Sequence, residues 1–373
     1  MDPSKFVSSR AGRLQVRPSG HFTFEPAPLP PAGLVLNGAL HQVLSTADRE
    51  VGFLHGQVAA RPEAAAFADL ACRQEAVASC RLDGSPVTLR DLLWYELDGI
   101  RADGLSCSRG DVRICANYAS MLREDAEKSG ADAAAVLGAS LRASHKQLYR
   151  GVRGRDERAG HFRTAEIWIG PRGSTRSTAY YVPPAPEHIT EHLARLLAFA
   201  VDDVALPPLA RVALMACQLE SIHPFVDGSG RITRLTLLKL LAETHGSATR
   251  LLCPSMLLAV DVGGHFGRMQ RVRCDGDWEG WVQHFGCLIR DAAQAATATL
   301  VRSETTMREH LARICAEQPT VRETSILLLR HLASQPLVSV QQVSQICRRT
   351  FANANLLVRR LEALGILVEI TGR

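Results

Sequence analysis

One stretch limits what this chain can fold into: His223-Pro-Phe-Val-Asp-Gly-Ser-Gly-Arg-Ile-Thr-Arg234. It sets a base, a carboxylate, two glycines and two arginines between two runs of helical character. Leu206 to Ile222 is rich in Ala, Leu, Val and Met; Arg231 to Thr244 carries Leu235, Leu238 and Leu241 on an apolar face, with Gly246 as a stop. The pattern calls for a helix, a tight loop and a second helix that begins at the glycines. Backbone N–H groups at a helix start have no acceptor inside the helix, and the helix dipole adds positive potential there. Such a start is a ready anion site. Arg231 and Arg234 lie three apart, share a face and can reach the same anion. An N–H nest with two guanidiniums suits a polyphosphate. Asp227 is placed to hold Mg²⁺ between its carboxylate and phosphate oxygens. His223 can take a proton from an attacking hydroxyl at neutral pH. A plain helix–turn–helix corner with a capping Asp and solvated arginines explains each residue singly, but not their convergence.

Composition narrows the setting. The 373 residues suffice for two or three domains, and 46% hydrophobic with 22% charged residues is ordinary for a soluble globular protein. A net charge of +5 permits nucleic-acid contact without arguing for it. The ten cysteines are scattered and none forms a Cys-x-x-Cys pair, so metal-site spacing is absent and reduced thiols are expected. The opening Met-Asp-Pro-Ser-Lys does not read as a signal peptide, and apolar runs such as Leu251 to Val260 are too short to span a bilayer. The expectation is a cytoplasmic protein.

The stretch at His223 resembles the signature of the Fic family, His-x-Phe-x-Asp/Glu-Gly-Asn-Gly-Arg-x-x-Arg. Every position fits except Ser229, where the family usually has Asn. The resemblance implies a mostly α protein built on the Fic-type helical core. It implies transfer of AMP from ATP to a Ser, Thr or Tyr hydroxyl of a protein, with His223 as base and Asp227 as the Mg²⁺ ligand. Gly228, Ser229 and Gly230 would form the anion hole for the α- and β-phosphates. Arg231 and Arg234 would bind the rest of the triphosphate, with Ile232 and Thr233 in the same nucleotide-binding turn. Serine at 229 removes one side-chain phosphate contact and leaves the backbone donors, so a weakened site is expected.

The rest of the chain divides into four stretches. Residues 1–36, with Pro26, Pro28, Pro30 and Pro31, read as an extended arm; Phe24 to Pro31 resembles the proline-rich lead-in of longer Fic proteins, which packs on the core. Residues 37–100 read as helices, and Ser79-Cys-Arg-Leu-Asp-Gly84 resembles the family's inhibitory motif, Ser/Thr-x-x-x-Glu-Gly/Asn. In that motif the Glu pairs with the second signature arginine and blocks the γ-phosphate position. Here Asp83 stands there, one methylene shorter, so the expected lock between Asp83 and Arg234 is leaky. A helix end with Gly84 as its stop is the alternative.

Residues 101–302 read as the catalytic core. Asp91 to about Ala159 is helical with breaks near Gly104, Gly130 and Gly151. Ala165 to Gly170, with Ile167, Trp168 and Ile169, and Thr178 to Val182, with Tyr180 and Tyr181, predict a hairpin and supply the only β signal before residue 300. It resembles the Fic flap, a sheet edge that holds the target segment or, in an automodifying protein, a segment of the chain itself. Gly160-His-Phe-Arg-Thr164 shares in the resemblance. A hairpin that only covers core is the alternative. Glu220 reads as structural. Where the family carries an Asn and paired tyrosines near the adenosine, this chain has Asp261, His265 and Phe266, and Phe266 can stack on a base. Asp275 to Trp281 resembles the block that closes the Fic core before a last helix, about Val282 to Leu300.

Residues 303–373 change character. A helix to about Ile314, another over Ser325 to Ala333, a short helix capped by Ser339 and running to Cys347, a longer one capped by Thr350 and ending at Gly365, and a strand at Ile366 to Ile370 make a winged-helix pattern. Arg348, Arg349, Arg359 and Arg360 lie on or beside its recognition helix, so DNA contact is one reading and a dimer or docking module the other. Two rivals to AMP transfer stand: a Fic core that has drifted into a regulatory or DNA-binding module, and a Fic enzyme of different transfer or removal specificity.

Overall fold

The computed structural model describes residues 1–61, 63–98, 105–124, 133–154, 158–202 and 205–370. The chain opens with an antiparallel pair, β1 (Gly12–Val16) and β2 (Phe22–Pro26), in which Leu14 faces Phe24. Helices follow: α1 (Gly38–Ala59), α2 (Ala64–Leu82), α3 (Leu89–Asp98), α4 (Arg109–Glu124), α5 (Ala133–Leu148), α6 (Ile189–Val201), α7 (Pro208–Ile222) and α8 (Ser229–His245). Then come α9 (Pro254–Leu258), α10 (Val262–Asp275), α11 (Trp278–Glu317), α12 (Arg322–Ser334), α13 (Val340–Ile346) and α14 (Phe351–Ala363).

The helices form where apolar spacing and caps coincide. Asn37 accepts from Leu40 N at 3.0 Å to start α1, whose Leu40, Leu44, Ala47, Val51 and Leu54 make a stripe that packs along α11. α8 buries leucines on every side, Leu235, Leu237, Leu238, Leu240 and Leu241, as a helix inside a core must. One large core joins β2, α1, α2, α4 to α8, α10 and the first half of α11. A second, smaller core holds Ile314, Leu328, Val343, Leu357 and Leu361 of the C-terminal bundle. Among the described residues no helix is long and apolar enough to cross a membrane.

Four expectations need correction. The arm is not simply extended but folds into a hairpin, whose Phe24 N donates to Val182 O at 2.9 Å. The hairpin expected at residues 165–182 is a loop closed by a single bridge, Ile169 to Tyr181. Pro171, Pro183 and Pro184 lack the donors a ladder needs, and β2 already takes the Val182 carbonyl. The boundary expected between 302 and 303 falls inside α11, a continuous helix of 40 residues. Ile366 to Ile370 is not a strand: Ile366 N and Leu367 N turn back to Leu361 O at the end of α14, and no partner strand is present among the described residues. The boundary expected between 100 and 101, the breaks at Gly104 and Gly130, and residues 371–373 lie outside the described residues.

Candidate active site

The site is built where α7 stops. His223 closes that helix with φ 47°, its N–H donating to Leu219 O at 3.0 Å. A non-glycine residue in the left-handed region is strained, and it persists only when its surroundings hold it. The last carbonyls of α7 are held from the flap side. Tyr181 Oη donates to Ser221 O at 2.6 Å, and Arg163 Nε donates to His223 O at 2.9 Å. The imidazole Nδ1 is buried, has no hydrogen-bond partner, and lies 3.7 Å from Glu220 Oε1. Burial pushes the His223 pKa below its ordinary 6.5; Glu220 opposes this, while Arg163 and Arg273 add to it. The ring is therefore neutral at pH 7, the form a general base needs.

The loop then turns into α8. Gly228 has φ 80°, and a Cβ there would lie 2.8 Å from Tyr149 Oη, so both backbone and space require glycine. Ile232 N donates to Gly228 O, which leaves the amides of Ser229, Gly230 and Arg231 without helical acceptors. The Ser229 side chain is buried and turned inward. Its Oγ accepts from Phe225 N at 2.9 Å and lies 3.1 Å from Phe225 O, to which it donates. It braces the loop, so only its amide is offered to an anion. His145 braces the same loop from α5. Gly160 N donates to its Nδ1, which makes Nε2 the donor to Asp227 O at 3.0 Å, and its ring stacks on Phe225 at 3.9 Å. Burial lowers the His145 pKa to about 4 and keeps it neutral. The sequence reading missed this residue, because a histidine in an Ala-rich helix gives no signal.

The two signature arginines meet one carboxylate. Arg234 Nη2 lies 2.7 Å from Asp83 Oδ1, and Arg231 Nε lies 2.8 Å from Asp83 Oδ2. The shorter side chain does reach, and it takes both guanidiniums where only Arg234 was expected. Arg234 also caps α2, through Ser79 Oγ at 2.7 Å and Ser79 O at 2.9 Å. Gly84 stops α2, its N–H donating to Arg81 O. Burial alone would push the Asp83 pKa up, but Arg234 and Arg231 outweigh it and hold the carboxyl below its usual range. A Cβ on Gly230 would meet Arg234 Nη1 and Asp83 Oδ1 at 2.9 Å, so this glycine lets the three groups close over the helix start.

Asp227 sits at the mouth, 46% exposed, with Oδ1 2.9 Å from Arg231 Nη2. Among the described residues no group of three or more His, Cys, Asp or Glu is arranged to hold a metal. One accessible carboxylate beside an anion site fits Mg²⁺ in its usual manner, shared with phosphate oxygens.

The remaining expected residues separate. The Ile232 side chain is in the core at 1% exposure, so it makes no nucleotide contact. Thr233, Arg234 and a half-exposed Phe266 line a cavity of about 40 Å³ with His265, His284 and Trp281. Thr233 Oγ1 is buried there without a partner. On the flap, Trp168 and Tyr180 are exposed, and Ile167 and Ile169 are half-buried. Tyr181 is fully buried under the Arg273 guanidinium, so its side chain cannot dock a target.

Known proteins resemble this chain in sequence and in fold. The sequence model of the Fic/DOC family matches residues 139–241, and that of the Fic/DOC family N-terminal region matches residues 41–126, together more than half of the chain. The chain belongs to the Fic/DOC family. It is similar to the protein adenylyltransferase fic-1 of Caenorhabditis briggsae, 29% identical over 142 residues, which are 37% of this chain and 25% of that one. The fic-1 of Caenorhabditis elegans is 27% identical over 142 residues, again 37% of this chain and 25% of that one. The match thus spans about a quarter of the length of these curated relatives. Among solved structures, a Fic family protein from Desulfovibrio desulfuricans G20 shares the fold with TM-score 0.56 and 20% identity, over 71% of this chain and 76% of that one. A Fic domain containing signaling protein from Bacteroides thetaiotaomicron VPI-5482 does so with TM-score 0.52 and 14% identity, over 70% and 97%.

Proposed function

We propose that this Fic-family chain transfers AMP from ATP to a hydroxyl of a protein, and that Asp83 restrains it. The observation that carries the reading is the Asp83 carboxylate bridging Arg231 and Arg234 beside the free amides of α8. An internal anion marks where phosphate oxygens would sit. In the reaction the target hydroxyl oxygen attacks the α-phosphorus and its proton passes to the neutral His223 imidazole. The bond from the α-phosphorus to the bridging oxygen breaks, and pyrophosphate leaves. The amides of Ser229, Gly230 and Arg231 hold the phosphates in place. Asp227 would hold Mg²⁺, which when bound offsets charge on the phosphate oxygens. A target segment, or a segment of this chain, would lie along the loop that carries Trp168 and Tyr180. Asp83 must give way before a γ-phosphate can reach the arginines, so the resting activity is low.

Label transfer tests this. The purified chain is incubated with Mg²⁺, lysate as a source of targets, and ATP labelled at the α- or the γ-phosphate. The expected result is α-label on protein, more of it with Asp83→Gly and none with His223→Ala. Transfer of γ-label alone would move the chain to another reaction class. No label with any version would favour a regulatory module over an enzyme.

A further inference from the structure

Arg163 lies in the segment just before the flap loop and is 4% exposed. Its donors go to main-chain carbonyls. Nε reaches His223 O at 2.9 Å, Nη2 reaches Pro184 O at 2.5 Å and Ile222 O at 3.4 Å, and Nη1 reaches Ala165 O at 3.4 Å. Its own N–H donates to Pro224 O at 2.9 Å. Burying a guanidinium is costly unless each donor is satisfied, and the planar fork of five donors suits several fixed acceptors at once. These acceptors are not a random set. Ala165 and Pro184 stand at the two ends of the flap loop; Ile222, His223 and Pro224 are the turn that carries the base. Arg273 supports the same turn, its Nε donating to Ser221 Oγ at 3.1 Å while its guanidinium lies 3.9 Å above the Tyr181 ring.

We infer that Arg163 is a positioning residue that fastens both ends of the flap and the strained backbone of His223 into one block, so that a segment seated on the flap meets the base at a fixed distance. The role rests on the AMP-transfer reading given above. It assigns Arg163 no contact with nucleotide. Without it the carbonyls of Ile222 and His223 lose their donors, the left-handed turn is no longer held, and the flap ends part from the base.

The test uses Arg163→Met and Arg163→Lys in the full chain, each also combined with Asp83→Gly. Hydrogen exchange is read first, because it needs no activity. In Arg163→Met the amides of residues 165–184 and 222–225 should exchange faster together, by about tenfold or more, with α11 unchanged. Arg163→Lys should recover only part of the protection, since one ammonium cannot span all four carbonyls. In the Asp83→Gly background, kcat for label transfer should fall about 100-fold, while KM for ATP stays within about twofold. Exchange that rises in only one of the two segments, or throughout the protein, overturns the inference; so does a change confined to KM for ATP. If Asp83→Gly alone transfers no label, AMP transfer is wrong, and the exchange result by itself still decides whether Arg163 couples the two segments. If Arg163→Met does not fold, Arg163→Lys carries the same two readouts.

Discussion

At Asp83 a negative charge sits where a helix least wants one. The C-terminal end of α2 carries partial negative charge of its own, and burial adds to the cost of the carboxylate. Arg231 and Arg234 answer both. Because the folded pKa is depressed below 3.8, the contribution of this contact is present above that value and is lost as pH falls through the lowered folded value. Removing the charge leaves the buried Arg234 guanidinium without its carboxylate and Arg231 with Asp227 alone, a loss of up to about 3–5 kcal/mol. Asp83→Asn should therefore lower the melting temperature without nucleotide, and ATP should raise it by more than it raises the wild type, because triphosphate oxygens replace the lost partner. Differential scanning fluorimetry with and without ATP checks this; equal shifts in both proteins would mean that Asp83 and ATP do not compete. The residues that carry charge or a special backbone, His223, Asp227, Gly228, Arg231 and Arg234, were legible in the sequence because their chemistry resides in the residue type. The bridge from Asp83 to Arg231 was not, since it depends on how α2 and α8 are set against each other. Nor was the inward turn of Ser229, whose hydroxyl found a nearer acceptor in Phe225 O.

The helix that delivers Asp83 also carries a buried acid at its centre. Glu75 of α2 is 1% exposed, and its Oε2 accepts from Ser255 N at 3.0 Å. Burial raises its pKa from 4.5 to about 7, against the opposing hydrogen bonds from Ser255. A raised carboxyl gives its stabilisation in the protonated form. The contribution is complete below 4.5 and is lost as pH rises to about 7, a swing of about 3 kcal/mol. Glu75→Gln should flatten the dependence of melting temperature on pH between 5 and 8, and a slope as steep as the wild type's would reject the assignment. At this scale the sequence served well where periodicity was long. Helices expected over Leu206 to Ile222 and Arg231 to Thr244 stand at Pro208–Ile222 and Ser229–His245. It served poorly for strands. Gly12–Val16 and Phe22–Pro26 are five residues each, and the prolines that follow hid their alternation.

Across the whole molecule, α11 spans both cores, and its middle explains why it was read as two helices. From Val301 to Arg313 it is mostly solvated, so no continuous apolar face joins the two expected helices into one; it bridges two packed bodies. The C-terminal bundle beyond it buries few large side chains and is too small to be very stable alone. It leans on α2, where Arg73 Nη1 donates to Ser334 O at 3.0 Å while Arg73 Nε holds Glu96 at 2.6 Å. The exposed pair of Arg330 with Glu63, at 3.3 Å, adds little. Arg73 thus couples the bundle to the body of the protein by a hydrogen bond from α2 to the end of α12. Arg73→Ala should let the bundle open first: amides of residues 322–364 should exchange about tenfold faster, while those of α7 and α8 hold their protection. Calorimetry should then resolve a low-temperature shoulder ahead of the main transition. A single transition shifted as a whole would mean that α11 alone keeps the two cores in step, because a rigid helix shared by both would then transmit unfolding without help from α2.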